Sequence, residues 1–134
     1  MEEVKKILIW TDPNVFNEEN QIFLDKIKKN FNYFIEIYIF NTLDEGIQKI
    51  KEIKFIQIKL MISGKFYPDF INIYKNNLQN FNSILEVIIF TSNKENYLKI
   101  KQENKELMLN DKFYNIGGIV DNEADLMECL KPEK

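Results

Sequence analysis

The stretch KKILIWTDPN, residues 5–14, joins an apolar run to turn-forming residues. The run 7–10 is apolar on both alternating faces, which is typical of a central parallel strand covered by helices on both sides. Asp12 follows this run directly, at the position where an α/β domain usually presents groups that handle a phosphate, a metal or a substrate. Pro13 and Asn14 favour a turn there. We therefore expect a strand, a turn and then a helix.

Four further strand-like runs follow the first, and a stretch with helical period separates each from the next. Strand two alternates between apolar and polar faces more clearly than strands one, three and four, which places it at an edge of the sheet. Gly117 and Gly118 permit a tight turn, which would end the fifth strand before them. The runs are YFIEIYIF (33–40), FIQIKLMI (55–62), ILEVIIFT (84–91) and FYNI (113–116).

Capping residues indicate where the helices begin. Asn14 or Asn17 can cap the first helix, and Pro68 fits the first turn of the third. The second and fourth helices open on capping boxes at 42–45 and 92–95, which read T-L-D-E and S-N-K-E. The apolar side chains expected to face the core are Phe16, Phe23, Ile27 and Phe31 on the first helix, Ile47, Ile50 and Ile53 on the second, Phe70, Ile71, Tyr74 and Leu78 on the third, and Leu126, Met127 and Leu130 on a last helix from about Asn122. The fourth helix is expected to run through Tyr97, Leu98 and Ile100.

This alternation predicts one α/β domain spanning residues 1–134. Strand and helix in turn imply right-handed crossovers and a parallel sheet. We expect a flavodoxin-like three-layer sandwich, with a five-stranded parallel sheet of order 2-1-3-4-5 and helices on both faces. A chain of 134 residues has the size of a single domain.

Composition argues against several functional classes. The chain has a net charge of −3 and contains neither arginine nor histidine. Without the arginine fork, nucleic acid is not expected as a partner. Without histidine, the usual metal ligand and general base are missing, so a non-enzymatic role is favoured and no cofactor is expected. Lysine used without arginine, together with abundant Ile and Asn, indicates an A+T-rich genome.

Cysteine content and hydropathy bear on localisation. Cys129 is the only cysteine, and the N-terminal MEEVKK does not lead into the apolar region of a signal peptide. No apolar run reaches the roughly 20 residues that a bilayer requires, so no membrane partner is expected. These features favour a cytoplasmic protein, which we expect to be a monomer. Cys129 has no histidine or basic cluster near it in sequence and is interpreted as an unreactive helix residue.

The carboxyl ends of the strands are the expected ligand-binding edge of such a sheet. Asp12 offers one carboxylate there, and Mg²⁺ is often held by one or two carboxylates plus substrate oxygens. Metal binding by Asp12 is the weaker alternative, because an aspartate before Pro13 and Asn14 readily accepts backbone N–H groups in a turn. The candidate ligand-binding residues at this edge are Asp12, Asn14, Ser63, Thr91, Ser92 and Gly117, with Thr11, Gly64, Lys65 and Gly118 beside them.

In element order and spacing, the whole chain resembles the receiver domains of two-component response regulators. Receivers place an acidic pair after strand one, a phosphoacceptor aspartate after strand three, a Ser or Thr after strand four and a Lys after strand five. Here Asp12 stands in the place of the acidic pair, with Thr11 instead of the second acid. Ser63 stands at the acceptor position, and Thr91 matches the hydroxyl position. The resemblance therefore implies a receiver without its phosphoacceptor.

Strand five carries the remaining receiver features. Tyr114 resembles the switch aromatic of receivers. The position of the receiver lysine falls on Gly117 or Val120, depending on how the two glycines are aligned, and neither residue is a base or a cation. The chain would then lack the nucleophile, one metal ligand and the cation that phosphoryl transfer to a carboxylate requires.

The phrase IWTDPNVFNEEN, residues 9–20, is similar to the opening of a family of receiver-like modules in protist and other eukaryotic proteins. Their pattern is I-W-x-D-x-N-x-x-N-E-E-N, and they lack the phosphoacceptor. This resemblance implies a non-catalytic pseudo-receiver in signalling, which binds another protein or domain. The face implied for that contact comprises the fourth helix, the fifth strand and the last helix, with Tyr97, Tyr114 and Met127 as apolar contributors.

An alternative function is the binding of a small ligand. In this hypothesis the chain is a nucleotide-handling relative of the flavodoxin-like or Toll/interleukin-receptor-like folds. Its ligand would occupy the crevice at the strand ends, around Asp12, Ser63 and Thr91.

Overall fold

A parallel five-stranded sheet forms the centre of the fold. The computed structural model describes residues 6–31, 33–53, 57–76, 84–91, 93, 95, 98, 99, 102 and 114–131, with the backbone alone at 84 and 114–117. All neighbouring strands run parallel in the order β2-β1-β3-β4-β5, which confirms the predicted flavodoxin-like sheet. The strands are β1 (Lys6–Thr11), β2 (Phe34–Phe40), β3 (Gln57–Ser63), β4 (Ile84–Phe90) and β5 (Tyr114–Val120).

Helices cover both faces of this sheet. Within the described ranges they are α1 (Glu18–Asn30), α2 (Leu43–Glu52), α3 (Tyr67–Asn76) and α4 (Glu123–Leu130). Buried residues of α2 and α3 form one apolar cluster with the sheet, and those of α1 and α4 form a second cluster on the opposite face. Between β4 and β5, in the region of the predicted fourth helix, the described residues Glu95, Leu98, Lys99 and Gln102 are helical.

The side chains of β1 show why this strand is central. Ile7 and Ile9 belong to the cluster under α2 and α3, whereas Leu8 and Trp10 belong to the cluster under α1 and α4. All of these residues are buried, and burying a side chain of this size stabilises the fold by about 1.5–3 kcal/mol. The Trp10 ring packs edge-on against Phe23 of α1, with the ring centroids 5.9 Å apart.

The first helix begins later than its apolar spacing predicts. Asn17 is the N-cap, because its side chain accepts a hydrogen bond from the Asn20 backbone N–H at 2.8 Å. Phe16 therefore lies in the turn before α1, and 56% of its surface is exposed. The prediction that Phe16 joins the buried stripe of the helix is wrong, since a residue ahead of the cap does not follow the helical period.

Most of the other predicted helix features are confirmed. Thr42 caps α2 by accepting the Glu45 N–H at 3.4 Å, and Asn122 caps α4 by accepting the Asp125 N–H at 2.8 Å. Pro68 lies in the first turn of α3. The proposed capping box at 92–95 includes residues outside the described part of the chain, as do Leu78, Tyr97 and Ile100.

The fifth strand extends beyond its predicted end. β5 runs through both glycines to Val120, so the prediction of a short strand ended by a tight turn at Gly117 and Gly118 is wrong. The pairing with β4 passes from Ile116 to Gly118, which leaves Gly117 as an extra residue at a bulge. At Gly118 an added Cβ would lie 2.6 Å from the Cys129 Sγ atom of α4. Gly118 therefore permits the close approach of α4 to the sheet.

The described helices are all too short or too polar to cross a lipid bilayer. The longest helix segment, α1, has 13 residues and carries lysines in its last turn. Three of its apolar residues, Phe23, Leu24 and Ile27, are buried against the sheet, whereas Ile22 is exposed. This arrangement is that of a helix covering a sheet.

Candidate functional site

The carboxyl ends of β1, β3 and β4 meet at one edge of the sheet, as the topology predicts. Backbone hydrogen bonds tie the residue after each of these strands to the end of a neighbouring strand. The donors are the N–H groups of Asp12, Gly64 and Thr91, and the acceptors are the carbonyls of Phe40, Phe90 and Val120, at 3.1, 2.8 and 2.9 Å. The structure thus places Asp12, Ser63 and Thr91 on neighbouring strands of one edge.

Asp12 forms the turn that leads out of β1. Its Oδ1 atom accepts the Asn14 backbone N–H at 2.8 Å, and its carbonyl accepts the Val15 N–H at 3.0 Å. Partial burial raises the pKa of the Asp12 carboxyl, and the Asn14 N–H offsets part of that rise by stabilising the charged form. This is the turn-forming contact expected from Pro13 and Asn14.

Ser63 and Thr91 repeat the geometry of Asp12. Ser63 Oγ accepts the Lys65 backbone N–H at 3.2 Å, and Thr91 Oγ1 accepts the Asn93 N–H at 3.0 Å. In each case the side-chain oxygen binds the N–H two residues further along the chain, as in Asx and Ser/Thr turns. At three neighbouring strand ends, the polar side chain that could meet a ligand also shapes its own loop.

The polar residues of the phrase IWTDPNVFNEEN build the connection between β1 and α1. The Asn20 side chain donates to the Asn14 carbonyl at 2.8 Å, in addition to the cap contact with Asn17. The Gln21 side chain donates to the carbonyl of Val15 at 2.9 Å, and Val15 itself is fully buried. The spacing of Asn residues in this phrase therefore has a structural explanation within the loop.

Thr11 lies beneath α2 and is not presented at the edge. Its side chain is buried, and its Oγ1 atom has no hydrogen-bond partner among the described residues. An added Cβ at Gly46 would lie 2.2 Å from Thr11 Cγ2, so α2 approaches β1 as closely as a glycine allows. The position of the second receiver acid is therefore occupied by a residue that the helix covers.

A groove of about 410 Å³ lies between the first turns of α2 and α3. Asp44 and Asp69 bring negative charge to it, in the first helical turns where carboxylates favour the helix dipole. None of Asp12, Ser63 or Thr91 lines this groove, and sequence reasoning did not identify it. The lining residues are Thr42, Leu43, Asp44, Phe66, Asp69, Asn72 and Ile73.

The described side chains do not assemble a recognisable metal centre. Among them, no group of three or more His, Cys, Asp or Glu residues is placed to hold a metal ion. Any Mg²⁺ at the edge would then depend on Asp12 together with oxygens from water or from a ligand.

The other predicted site residues have different outcomes. Gly117 is not at the carboxyl edge, because it lies at the bulge within β5, and the prediction that it belongs to the strand-end site is wrong. Met127 is partly buried and packs against the cluster under α1 and α4. Ser92, Tyr97 and the Tyr114 side chain lie outside the described part of the structure.

A buried lysine contacts the C-terminal end of α4, and the sequence did not predict it. Lys59 of β3 is only 1% exposed, and its amine donates to the carbonyls of Cys129 and Lys131 at 2.8 and 3.4 Å. Glu86 of β4 lies opposite Lys59 in the sheet and approaches its amine at 3.6 Å. The Tyr33 hydroxyl donates to the Leu130 carbonyl beside them. Lysine thus satisfies carbonyls at the end of a helix, where positive charge is favoured.

Comparisons with protein-family models, with curated proteins and with solved structures found no match. The resemblance to receivers therefore stays an expectation from sequence, although the order of the sheet agrees with it.

Proposed function

We propose that the chain is a non-catalytic, receiver-like module that acts by binding another protein or domain. One observation carries the proposal: the polar side chains at three neighbouring strand ends accept hydrogen bonds from their own loops. In receivers, residues at these positions serve phosphoryl transfer. In this chain they hold the shape of the edge.

The chemistry of the edge supports the same proposal. Phosphoryl transfer to a carboxylate needs a nucleophile, a metal with several oxygen ligands and a cation near the developing charge. Asp12 alone supplies a carboxylate after β1, and a serine is the last residue of β3. The amine of the buried Lys59 is committed to the end of α4. We infer that the fold is used as a rigid scaffold for recognition.

The contact surface that we propose comprises the segment that contains the helical residues Glu95, Leu98, Lys99 and Gln102, together with β5 and α4. Leu98 of this segment is 46% exposed, which makes it one of the few exposed large apolar side chains among the described residues. Leu98 is therefore a described apolar side chain of this surface that a partner can contact. Met127 contributes less, because it turns partly towards the core.

Leu98→Lys tests this surface. The substitution should abolish capture of the partner from a lysate of the source cells and leave the melting temperature unchanged, because an exposed side chain contributes little to stability. Ile22→Lys is the matched control, since Ile22 is a similarly exposed aliphatic residue on α1, at 52%. Equal capture by Leu98→Lys and the unsubstituted chain would place the contact on another face.

A further inference from the structure

The edge strand β2 has an unusual, nearly palindromic sequence. Residues 34–40 read F-I-E-I-Y-I-F, so the strand is the same in both directions except at Glu36 and Tyr38. β2 lies at the end of the sheet order and pairs with β1 alone among the described strands. It also leaves apolar surface uncovered, with Ile35 45% exposed.

One hydrogen bond shows which way the backbone of β2 points. The Phe40 carbonyl accepts the Asp12 N–H at 3.1 Å and therefore faces β1. Since successive residues of a strand present their backbone groups to opposite sides, the groups of Tyr38 also face β1, whereas those of Ile37 and Ile39 face outward. An edge with outward N–H and C=O groups is a template for pairing with another strand.

We propose that the chain forms a homodimer in which the two β2 edges pair antiparallel about a two-fold axis at Ile37. In that register Ile37 meets its own copy, and Ile39 meets the partner's Ile35. Both Ile37 and Ile39 present outward backbone groups, as this pairing requires. A two-fold interface uses the same patch on both subunits, and a palindromic strand meets that condition.

The palindrome is broken where Glu36 meets the partner's Tyr38, and at this pair opposite charges would come together. Lys49 of α2 lies over the Tyr38 ring, with its Nζ atom 4.5 Å from the ring centroid. Glu36 is exposed, and it would arrive directly opposite the partner's Tyr38, with the two Cα atoms about 4.5 Å apart in a pair of this type. Its carboxylate would then reach the partner's Lys49. The two-fold axis repeats this contact on both sides of the interface.

The register between β1 and β2 shifts at Ile35, so this residue bulges out of the pairing with β1. Bulges commonly protect edges from indiscriminate pairing. Here the bulge exposes an isoleucine that the partner's Ile39 would cover. The inference goes beyond the proposed function, which names no partner, and it replaces the monomer expected from sequence.

Sedimentation velocity over a concentration series tests the dimer. The mass of the unsubstituted chain should rise from 16.1 kDa to twice that value as concentration increases. Ile35→Lys should stay at 16.1 kDa throughout, because a lysine on the edge blocks pairing. Ile22→Lys carries the same substitution at a similarly exposed site on α1, and it should dimerise like the unsubstituted chain.

Amide hydrogen exchange on the unsubstituted chain provides a second readout that does not depend on how the variants fold. Exchange at Ile37 and Ile39 should slow as the dimer forms, whereas exchange at Tyr38 should not change because its N–H already faces β1. The dimer would be overturned by a constant mass of one chain, by dimerisation of a folded Ile35→Lys, or by exchange at Ile37 and Ile39 that is independent of concentration.

Discussion

Asp12 experiences two opposing effects at the end of β1. Partial burial disfavours its charge and raises its pKa, whereas the hydrogen bond from the Asn14 N–H favours the charge. Burial is the larger effect, so the folded protein holds the Asp12 proton more tightly than the unfolded chain does. The stability linked to this proton is fully present below the ordinary pKa of 3.8 and is lost as pH rises through the folded-state pKa.

Asp12→Asn should remove this pH dependence and keep the turn. The stability of the variant relative to the unsubstituted chain should increase as pH rises from 3.8 towards neutrality. At neutral pH the variant should lose no more than about 1 kcal/mol, because the asparagine Oδ1 still accepts the Asn14 N–H. Urea denaturation at a series of pH values measures both quantities. Asp25→Asn, on the exposed side of α1, controls for the loss of one charge.

Two results would contradict this account of Asp12. One is a variant whose relative stability falls as pH rises. The other is a loss well above 1 kcal/mol at neutral pH, which would mean that the carboxylate has partners beyond its own turn.

Lys59 is the residue whose removal should cost most among the polar residues of the described sheet. Lys59→Met keeps the apolar stem but leaves the Cys129 carbonyl and Glu86 without the buried amine. We expect a loss of about 2–3 kcal/mol in the free energy of unfolding. Adding Glu86→Leu should recover part of the loss, because it removes the unpaired carboxylate. Urea denaturation of the single and double variants gives the coupling.

Lys131→Met is the control for Lys59→Met. Its amine contacts Glu128 at 2.7 Å on the exposed side of the helix end, and such pairs contribute less than about 0.5 kcal/mol. Equal losses from the two lysine variants would show that the buried amine has no special role at the end of α4.

At the scale of elements, the contact between α2 and β1 depends on a missing side chain. Gly46 lies in the first half of α2, where alanine would favour the helix by about 1 kcal/mol. The Thr11 methyl group occupies the space that the alanine Cβ would need. Overpacking of this kind costs about 1–3 kcal/mol, so the clash should outweigh the gain in helix propensity.

Gly46→Ala should therefore destabilise the unsubstituted chain by up to about 2 kcal/mol. In a Thr11→Ser background, which lacks the methyl group, the same substitution should become neutral or stabilising. A double-mutant cycle by thermal or urea denaturation measures the change of sign. If Gly46→Ala stabilises the protein while Thr11 is present, α2 can move away from β1 without cost and the close contact is not a constraint.

The sequence predicts those elements that depend on local signals. Alternation identifies the strands, and Thr42, Pro68 and Asn122 mark helix starts through contacts within a few residues. β5 is different, because its glycines are explained by the Cys129 side chain of α4 and by a bulge against β4. Those contacts join parts of the chain that no local pattern relates.

At the scale of the whole molecule, the strand order explains which residues meet at the candidate site, and the residue types alone do not. The parallel order brings Asp12, Ser63 and Thr91 to one edge, which the sequence predicts. The burial of Thr11 under α2 and the approach of Lys59 to the end of α4 could not be predicted, because both depend on how helices pack on the sheet. The sequence shows only that a lysine lies within an apolar strand, and its role becomes clear from the carbonyl groups that it contacts in the fold.

We propose that the strand-end residues hold loops and do not transfer phosphoryl groups. Intact-mass spectrometry after incubation with acetyl phosphate and Mg²⁺ tests it most directly, with a phosphorylatable receiver domain in parallel as the positive control. The account predicts an unchanged mass for this chain, because Ser63 stands in place of the acceptor and Thr11 in place of the second acid. A labile phosphoryl adduct that disappears in Asp12→Asn would contradict the account and establish a working phosphotransfer site at this edge.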